Sequence, residues 1–160
     1  MKTQQLTLLF LIEGENVLLA MKKRGFGVGR WNGVGGKVEN SETTEAAAIR
    51  ECQEEISVTP VIFKQVAHIS FNELHNNERK IMKVNVYFCT QWTGEPTETE
   101  EMRPKWFKKV DIPYDKCWPD DKYWLPLVLT GKKLEAAFVM KDDDEVESYT
   151  LLEKNDDEKF

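Results

Sequence analysis

The stretch Gly35–Val58, GGKVENSETTEAAAIRECQEEISV, combines a glycine pair, several capping residues and a helical segment rich in glutamate. Its second part, Thr43–Ile56, is the strongest helix prediction in the chain, because the alanine run Ala46–Ala48 has high helix propensity. Acidic residues near its start suit the positive end of a helix. The start can be capped by any of three residues: Ser41, Thr43 and Thr44.

The glutamates of this helix lie close together. Since an α-helix turns by about 100° per residue, Glu51, Glu54 and Glu55 share an arc of about 100°. The opposite side carries the residues expected to face the core, Ile49, Cys52 and Ile56. Like charges three or four residues apart destabilise a helix by roughly 0.2–0.5 kcal/mol per pair, and no lysine lies between positions 38 and 63. The acidic edge is therefore either a solvated face or a site for a hard divalent cation, Mg²⁺ with Mn²⁺ as a substitute.

Composition limits the function classes. The chain has 160 residues, 41% hydrophobic and 31% charged, which fits one globular domain. A net charge of −6 argues against binding a nucleic-acid polymer.

The apolar run Leu6–Ile12 is too short to span a membrane, and we interpret it as a strand rather than a signal peptide. Three widely spaced cysteines, Cys52, Cys89 and Cys117, form neither a disulfide framework nor a zinc motif, so we expect a reducing cytoplasm.

The remaining pattern predicts strands with two helices, without regular alternation. A second helix is expected from about Asp120 to Leu129. The predicted strands are Leu6–Ile12, Val17–Met21, Asn32–Val38, Val61–Ser70, Ile81–Thr90, Arg103–Val110 and a final hairpin formed by KLEAAFVM and VESYTLL around the acidic turn KDDDE. We expect an α+β fold, a mixed β-sheet packed between helices, over residues 1–153. Residues 154–160 are expected to be a frayed acidic tail.

The spacing of the fixed residues around the helix resembles the box of the Nudix hydrolase family. The matching residues are Gly36, Glu42, Arg50, Glu51, Glu54 and Glu55. Two positions depart from the family pattern. Cys52 replaces an aliphatic residue, which a free cysteine can imitate. Ser57 replaces the glycine after the helix, where a residue with a side chain costs some stability.

The resemblance implies a metal site that holds a diphosphate. In Nudix enzymes the matching glutamates bind divalent metals, so the implied metal ligands are Gly36 through its carbonyl, Glu51, Glu54, Glu55 and, as an additional ligand or base, Glu101. The implied catalytic set is Arg50, Glu54, Glu55 and Glu101. Arg50 would orient a ligating glutamate. Without the resemblance, Glu101 is an ordinary exposed loop acid.

Other segments narrow the resemblance to animal-type MutT-like members that act on oxidised purine nucleoside triphosphates. These segments are LLAMKKRGFGVGRWNGVGGKV, EMRPKWF and WPDDKYWLPL. The implied reaction is hydrolysis of 8-oxo-dGTP or 2-oxo-dATP to the monophosphate and pyrophosphate. The implied substrate-binding residues are Thr7, Lys22, Phe26, Asn32, Phe71, Met82, Trp118, Asp120 and Asp121.

Several of these residues also have structural explanations. Trp118 can stack a purine or pack in the core, and Asn32 can read a base edge or form a turn. Asp120 and Asp121 can cap the second helix. If instead they share an apolar pocket, one should hold a proton near neutral pH while its neighbour stays ionised. Such a pair would present one donor and one acceptor to a purine.

Two other functions remain open from the sequence. One is a different Nudix activity, on methylated purine triphosphates, nucleotide sugars, ADP-ribose or dinucleoside polyphosphates. The other is a module that senses a nucleotide without cleaving it, although intact Glu51, Glu54 and Glu55 argue against a sensor. The expected partner is a small nucleotide, with no nucleic-acid polymer and no membrane, and the expected state is a monomer.

Overall fold

The computed structural model describes residues 2–75, 77–141 and 145–160. Within those ranges the chain forms eight strands and two α-helices. The strands are β1 (Lys2–Glu13), β2 (Asn16–Lys22), β3 (Trp31–Asn32), β4 (Thr59–His75), β5 (Glu78–Thr93), β6 (Met102–Lys108), β7 (Lys133–Met140) and β8 (Val146–Lys154). The helices are α1 (Thr44–Ile56) and α2 (Asp121–Leu129).

All the strands belong to one mixed sheet, in the order β3-β2-β1-β5-β4-β7-β8, with β6 paired to β2. The β1–β5 and β4–β7 pairs are parallel and the other pairs are antiparallel. Parallel neighbours need a long crossover connection. Helix α1 lies in the connection from β1 to β5, and α2 lies in the connection from β4 to β7.

The two helices cover opposite faces of the sheet. Successive residues of a strand point to opposite sides, so Leu9 belongs to the core cluster that contains Cys52 and Ile56 of α1. Its neighbour Phe10 lies in the other cluster, where its ring contacts Trp124 of α2 with the ring centroids 6.4 Å apart. The expected α+β architecture, a mixed sheet between helices, is confirmed.

The predicted helix is also confirmed, with its first helical residue at Thr44, and one of the three candidate caps is used. Thr43 is the N-cap, and its hydroxyl accepts a hydrogen bond from Ala46 N at 3.0 Å. Cys52 and Ile56 are fully buried as expected. Ile49 is half-buried and belongs to neither core cluster, so the apolar side of the helix is narrower than its periodicity suggested.

The strand predicted over Asn32–Val38 is wrong in its extent. Strand β3 ends at Asn32, and the chain then follows β1 through isolated bridges from Val34 to Leu9 and from Lys37 to Leu6. The regular ladder is interrupted where the backbone of Gly33 and Gly35 lies too close to β1 for a side chain to fit. A Cβ on Gly35, for example, would lie 1.9 Å from the carbonyl oxygen of Thr7.

Other strands extend beyond their predicted limits. Strands β4 and β5 form a long antiparallel pair that continues past Ser70 in β4 and begins before Ile81 in β5, beyond the predicted limits. Strand β1 begins at Lys2 because its polar first residues pair with β5. Backbone groups form ladders whatever the polarity of the side chains, so polarity alone made the predicted strands too short.

The final hairpin forms as predicted, with β7 and β8 antiparallel. Part of its acidic turn, residues 142–144, lies outside the described residues. After β8 ends at Lys154, the last residues return to the sheet edge. Lys133 and Lys154 lie over the ring of Phe160, with their Nζ atoms 4.8 and 5.8 Å from the ring centroid. The domain limit at residue 153 stays a prediction.

Two further observations concern the helices and the cysteines. No helix in the described part of the chain is long and apolar enough to cross a membrane. The three cysteines, Cys52, Cys89 and Cys117, are free and buried.

Ser57 generates a prediction about stability. This residue ends α1 in the left-handed conformation, with φ at 61°, where glycine is favoured over residues with a Cβ. We expect Ser57→Gly to raise the free energy of unfolding by about 1 kcal/mol, measured by urea denaturation. The same substitution at Ser70, inside β4, should lower stability instead. A loss of stability in Ser57→Gly would contradict the strain at this cap.

Candidate active site

Arg50 organises the acidic edge of α1. Its Nε and Nη2 donate to the two carboxylate oxygens of Glu42 at 2.8 and 3.0 Å. Its Nη1 donates to Glu51 at 3.0 Å and to Glu54 at 3.4 Å, and Nη2 also donates to the carbonyl of Lys37 at 3.0 Å. The guanidinium therefore joins the loop before α1 to the glutamates of the helix and restricts their orientations.

This ion-pair network changes the acidity of Glu42. The hydrogen bonds from Arg50 are the largest cause that lowers the pKa of Glu42 to about 2, followed by the bond from the Glu39 amide. The hydrogen bond with Glu42 is the largest cause that raises the pKa of Arg50, and the hydrogen bond and charge of Glu51 add to it. Both groups are therefore charged throughout the physiological range.

The three glutamates of the helix edge differ in exposure. Glu54 is exposed, Glu51 is half-buried, and Glu55 is only 8% exposed. Burial is the largest cause that raises the pKa of Glu55 to about 9, and the hydrogen bond and charge of Glu51 add to it. The positive charge of Lys22 and the Gly35 amide act in the opposite direction.

A glycine turn lies against these acids. Thr7 N donates to the carbonyl of Gly36 at 2.9 Å, which holds the turn on β1. A Cβ on Gly36 would lie 2.6 Å from Glu51 Oε1, so a side chain there would displace the carboxylate. The buried hydroxyl of Thr7 and the Oε2 atom of Glu55 have no hydrogen-bond partner. Buried polar atoms of this kind usually meet a ligand or water.

The donor chemistry of this region fits a hard divalent cation. Carboxylate and carbonyl oxygens are the ligands that such cations prefer. The Oε2 atom of Glu55, which has no hydrogen-bond partner, is an oxygen that can coordinate a cation. As the side chains stand, however, no group of three or more acidic, histidine or cysteine residues converges on one point in the described ranges. Glu51 and Glu55 instead act on each other, which adds to the rise in the pKa of Glu55. A cation would replace that mutual contact.

Glu101 lies in the loop just before β6, which pairs with the end of β2 at Lys22. Arg24 Nη2 donates to Glu101 Oε1 at 2.5 Å, and the Glu101 side chain is 44% exposed. The bond and charge of Arg24 lower the pKa of Glu101, and Lys22 lowers it further. Lys22 thus acts on both Glu55 and Glu101, while the role of Glu101 as ligand or base stays a prediction.

The two aspartates at the start of α2, Asp120 and Asp121, do not act as helix caps. Asp120 occupies the N-cap position but makes no capping hydrogen bond, and its Oδ2 accepts from the indole Nε1 of Trp124 at 2.8 Å. Asp120 and Asp121 are 5% and 3% exposed. Burial is the largest cause that raises the pKa of each, and in Asp121 the charge of Asp120 adds to it. Such a pair favours a state with fewer than two negative charges.

Trp118 precedes this pair in the chain, and residues of the loop after β2 lie against its ring. The ring of Phe26 is 5.1 Å from the Trp118 ring at an interplanar angle of 40°, and Phe26 is exposed. A Cβ on Gly27 would lie 2.9 Å from the Trp118 ring. Arg30 covers the ring, with Cζ 4.3 Å from its centroid. Trp118 is therefore a half-buried aromatic surface and not a core residue.

Three other expected base contacts lie on strands β3, β4 and β5. Asn32 ends β3, and its Oδ1 accepts from the Gly33 amide at 2.9 Å, which is the turn role that the sequence left open. Phe71 and Met82 are paired residues of β4 and β5, and the Phe71 ring stacks on Phe138 of β7 at 5.5 Å. Both are half-buried on the sheet.

Sequence reasoning missed two groups. Arginine is common in exposed loops, and Arg30 lies in a loop. No sequence pattern therefore distinguished Arg30 from an ordinary surface residue. Thr99 connects the Glu101 loop to α1, because its hydroxyl donates to the carbonyl of Glu55 at 2.7 Å. Only the fold brings these partners together.

Comparisons with known proteins agree with this geometry. Residues 3–128 match the family model described as NUDIX domain. The oxidized purine nucleoside triphosphate hydrolase of Mus musculus is 46% identical over 96% of this chain and 97% of its own length. The Danio rerio protein with the same description is 40% identical over 94% and 96%. A MutT protein from Bacillus halodurans has a similar fold, with a TM-score of 0.78, 23% identity and coverage of 92% and 97%.

The buried carboxyl of Glu55 generates a prediction for the protein without divalent cations. The folded chain holds this proton up to about pH 9, whereas the ordinary value is 4.5. A raised pKa stabilises the fold below pH 4.5, and that stabilisation is lost as the pH rises towards 9. Glu55→Gln should therefore raise the free energy of unfolding at pH 7.5, by on the order of 2 kcal/mol.

Urea denaturation in the presence of a chelator measures this difference. It should grow between pH 5 and 9, because the folded chain keeps on Glu55 a proton that the unfolded chain increasingly releases. Glu54→Gln is the matched control, because Glu54 is exposed and should show little change. Equal stability of wild type and Glu55→Gln at every pH would contradict the raised pKa.

Proposed function

The chain belongs to the NUDIX domain family, and from this premise we propose that it hydrolyses oxidised purine nucleoside triphosphates. The substrates are of the 8-oxo-dGTP and 2-oxo-dATP type, and water converts them to the nucleoside monophosphate and pyrophosphate. The names of the mouse and zebrafish relatives support this substrate class. Removal of damaged precursors in this way would keep oxidised bases out of DNA.

The loop after β2, whose two ends act on the glutamate edge and on the aspartate pair, is the observation that carries this function. One loop serves both, since Lys22 acts on Glu55 while Arg30, at the other end of the loop, acts on Asp120 and Asp121. Lys22 N donates to the carbonyl of Arg30 at 3.4 Å, so the two ends of the loop meet. A nucleotide fits this arrangement, with its phosphates at the glutamates and its base at the aspartates.

For the phosphate side we propose Mg²⁺, with Mn²⁺ as a substitute, held by Glu51, Glu54, Glu55 and the carbonyl of Gly36. When bound, such a cation polarises phosphoryl oxygens and neutralises their charge. Arg50 keeps Glu51 and Glu54 turned towards this region. The attacking water must give its proton to a carboxylate, and the candidates are Glu54, Glu55 and Glu101.

For the base side we propose that Trp118 stacks the purine and that Asp120 and Asp121 read its edge. With one proton shared between them, the aspartates present a donor and an acceptor. This pattern matches the 6-oxygen and the N1 hydrogen of an oxidised guanine. Exchange of the proton between them reverses the pattern and admits a 2-oxo-adenine. The remaining proposed contacts are Thr7, Lys22, Phe26, Asn32, Phe71 and Met82.

We also propose that the protein acts in the cytoplasm and as a monomer. Free buried cysteines are typical of a reducing compartment. Light scattering of the purified protein would test the monomer.

The first functional prediction concerns turnover. With Mg²⁺, wild type should release pyrophosphate and 8-oxo-dGMP from 8-oxo-dGTP, measured by chromatography of the products. Glu55→Gln should lower kcat by about 100-fold or more, because the phosphates lose a metal-binding carboxylate. Glu15→Gln, in the exposed β1–β2 turn, is the control and should keep wild-type activity.

The same assay separates the rival functions. Plain dGTP, N6-methylated dATP and ADP-ribose serve as competing substrates. Faster turnover of one of these than of 8-oxo-dGTP and 2-oxo-dATP would replace the proposed substrate class. Nucleotide binding with no product from any of them would identify a sensor.

The second functional prediction concerns base recognition. Asp120→Asn and Asp121→Asn each replace a carboxyl group with an amide. An amide cannot exchange the proton that the proposed pair shares. Each should lower kcat/KM for 8-oxo-dGTP by about tenfold or more, because a buried base edge is left unpaired. Asp115→Asn, an exposed residue of the same segment, should not. We would abandon the base-reading role if both pair variants kept the wild-type kcat/KM.

A further inference from the structure

Arg30 is anchored between the two strands that border the proposed site. Its N–H donates to the carbonyl of Gly27 at 3.2 Å, and its carbonyl accepts from Lys22 N at 3.4 Å. Gly29 N also donates to the carbonyl of Lys22 at 3.0 Å. The loop therefore closes on the end of β2, and its backbone fixes where the Arg30 side chain begins.

The guanidinium of Arg30 lies over Trp118. The 4.3 Å between Cζ and the ring centroid is within the range of a cation–π contact. Phe26 and Gly27 of the same loop touch the ring as well. Trp118 is thus held by loop residues rather than by the core, and Arg30 supplies the charged contact.

The positive charge of Arg30 also reaches the aspartate pair. Trp118 is joined to Asp121 by a turn, in which Asp121 N donates to the carbonyl of Trp118 at 3.1 Å. Arg30 lowers the pKa of both Asp120 and Asp121, against the larger effect of burial. Two carboxyl groups buried without a nearby cation would both tend to stay neutral, and a fully neutral pair lacks the acceptor of an ionised carboxylate.

We propose that Arg30 is a positioning residue of the purine pocket, which holds the ring of Trp118 and supplies the positive charge that balances the Asp120–Asp121 pair. It does so without contacting the base or the phosphates. This role rests on the proposed function, because it takes Trp118 and the aspartates to be the residues that bind the purine.

Binding of the nucleoside 8-oxo-2′-deoxyguanosine to the metal-free protein tests this role by calorimetry, since this ligand has no phosphate. Arg30→Gln should weaken binding by about tenfold. With 8-oxo-dGTP and Mg²⁺, the same variant should raise KM by about tenfold and leave kcat within about twofold. Arg30→Lys keeps the charge and should recover most of the lost affinity.

Arg103→Gln is the matched control, because Arg103 lies over the neighbouring Trp31, with Cζ 5.4 Å from the ring centroid. It should bind the nucleoside as wild type does. Thermal unfolding of every variant shows whether the fold is retained, and Arg30→Lys carries the test if Arg30→Gln does not fold.

The possible outcomes separate this role from the proposed function. If wild type binds neither the nucleoside nor 8-oxo-dGMP, the proposed function fails and the role of Arg30 fails with it. If wild type binds and Arg30→Gln binds equally well, only the role of Arg30 fails. A loss of affinity for 8-oxo-dGMP but not for the nucleoside would make Arg30 a phosphate contact and overturn the proposal. An Arg30→Lys variant as weak as Arg30→Gln would overturn it too.

Discussion

The close approach of a glycine turn to strand β1 and helix α1 is the constraint on which the candidate site depends. Gly35 leaves no space for a Cβ beside the carbonyl of Thr7, and Gly36 leaves none beside Glu51. A side chain at either position would push α1 away from the sheet or turn Glu51 out of the site. Because α1 packs on β1 through its buried residues, this one contact sets the distance between the acidic edge and the sheet.

Three carboxyl groups are buried at a cost to stability. Glu55 on α1 and the pair Asp120 and Asp121 at the start of α2 all have raised pKa values, with burial as the largest cause. The core must offset this cost in stability. The fold provides the offset through one buried hydrophobic cluster on each face of the sheet. Buried carboxyl groups in a cleft are a feature of functional sites, which agrees with the family to which the chain belongs.

Helix α1, a polar cap at its start and the presence of a second helix could be predicted, because local propensity and periodicity decide them. Which of Ser41, Thr43 and Thr44 forms the cap was decided only in the structure. The limits of the strands could not be predicted, because polar residues join a ladder whenever a neighbouring strand offers partners, as at Lys2 in β1. The burial of Glu55 was also hidden. Helix periodicity placed it with the exposed Glu54, but the glycine turn covers one side of the acidic edge and leaves the other open.

The sequence by itself determined the order of the acids along α1, the glycines that let the chain approach them, and hence the family and the chemistry of the donor atoms. These depend on residue type and spacing within one continuous segment. Only the tertiary structure decided that Arg30 meets Trp118, that Lys22 acts on both Glu55 and Glu101, and that the aspartates are buried. Those contacts join residues far apart in the chain, and their distances follow from how the helices pack on the sheet.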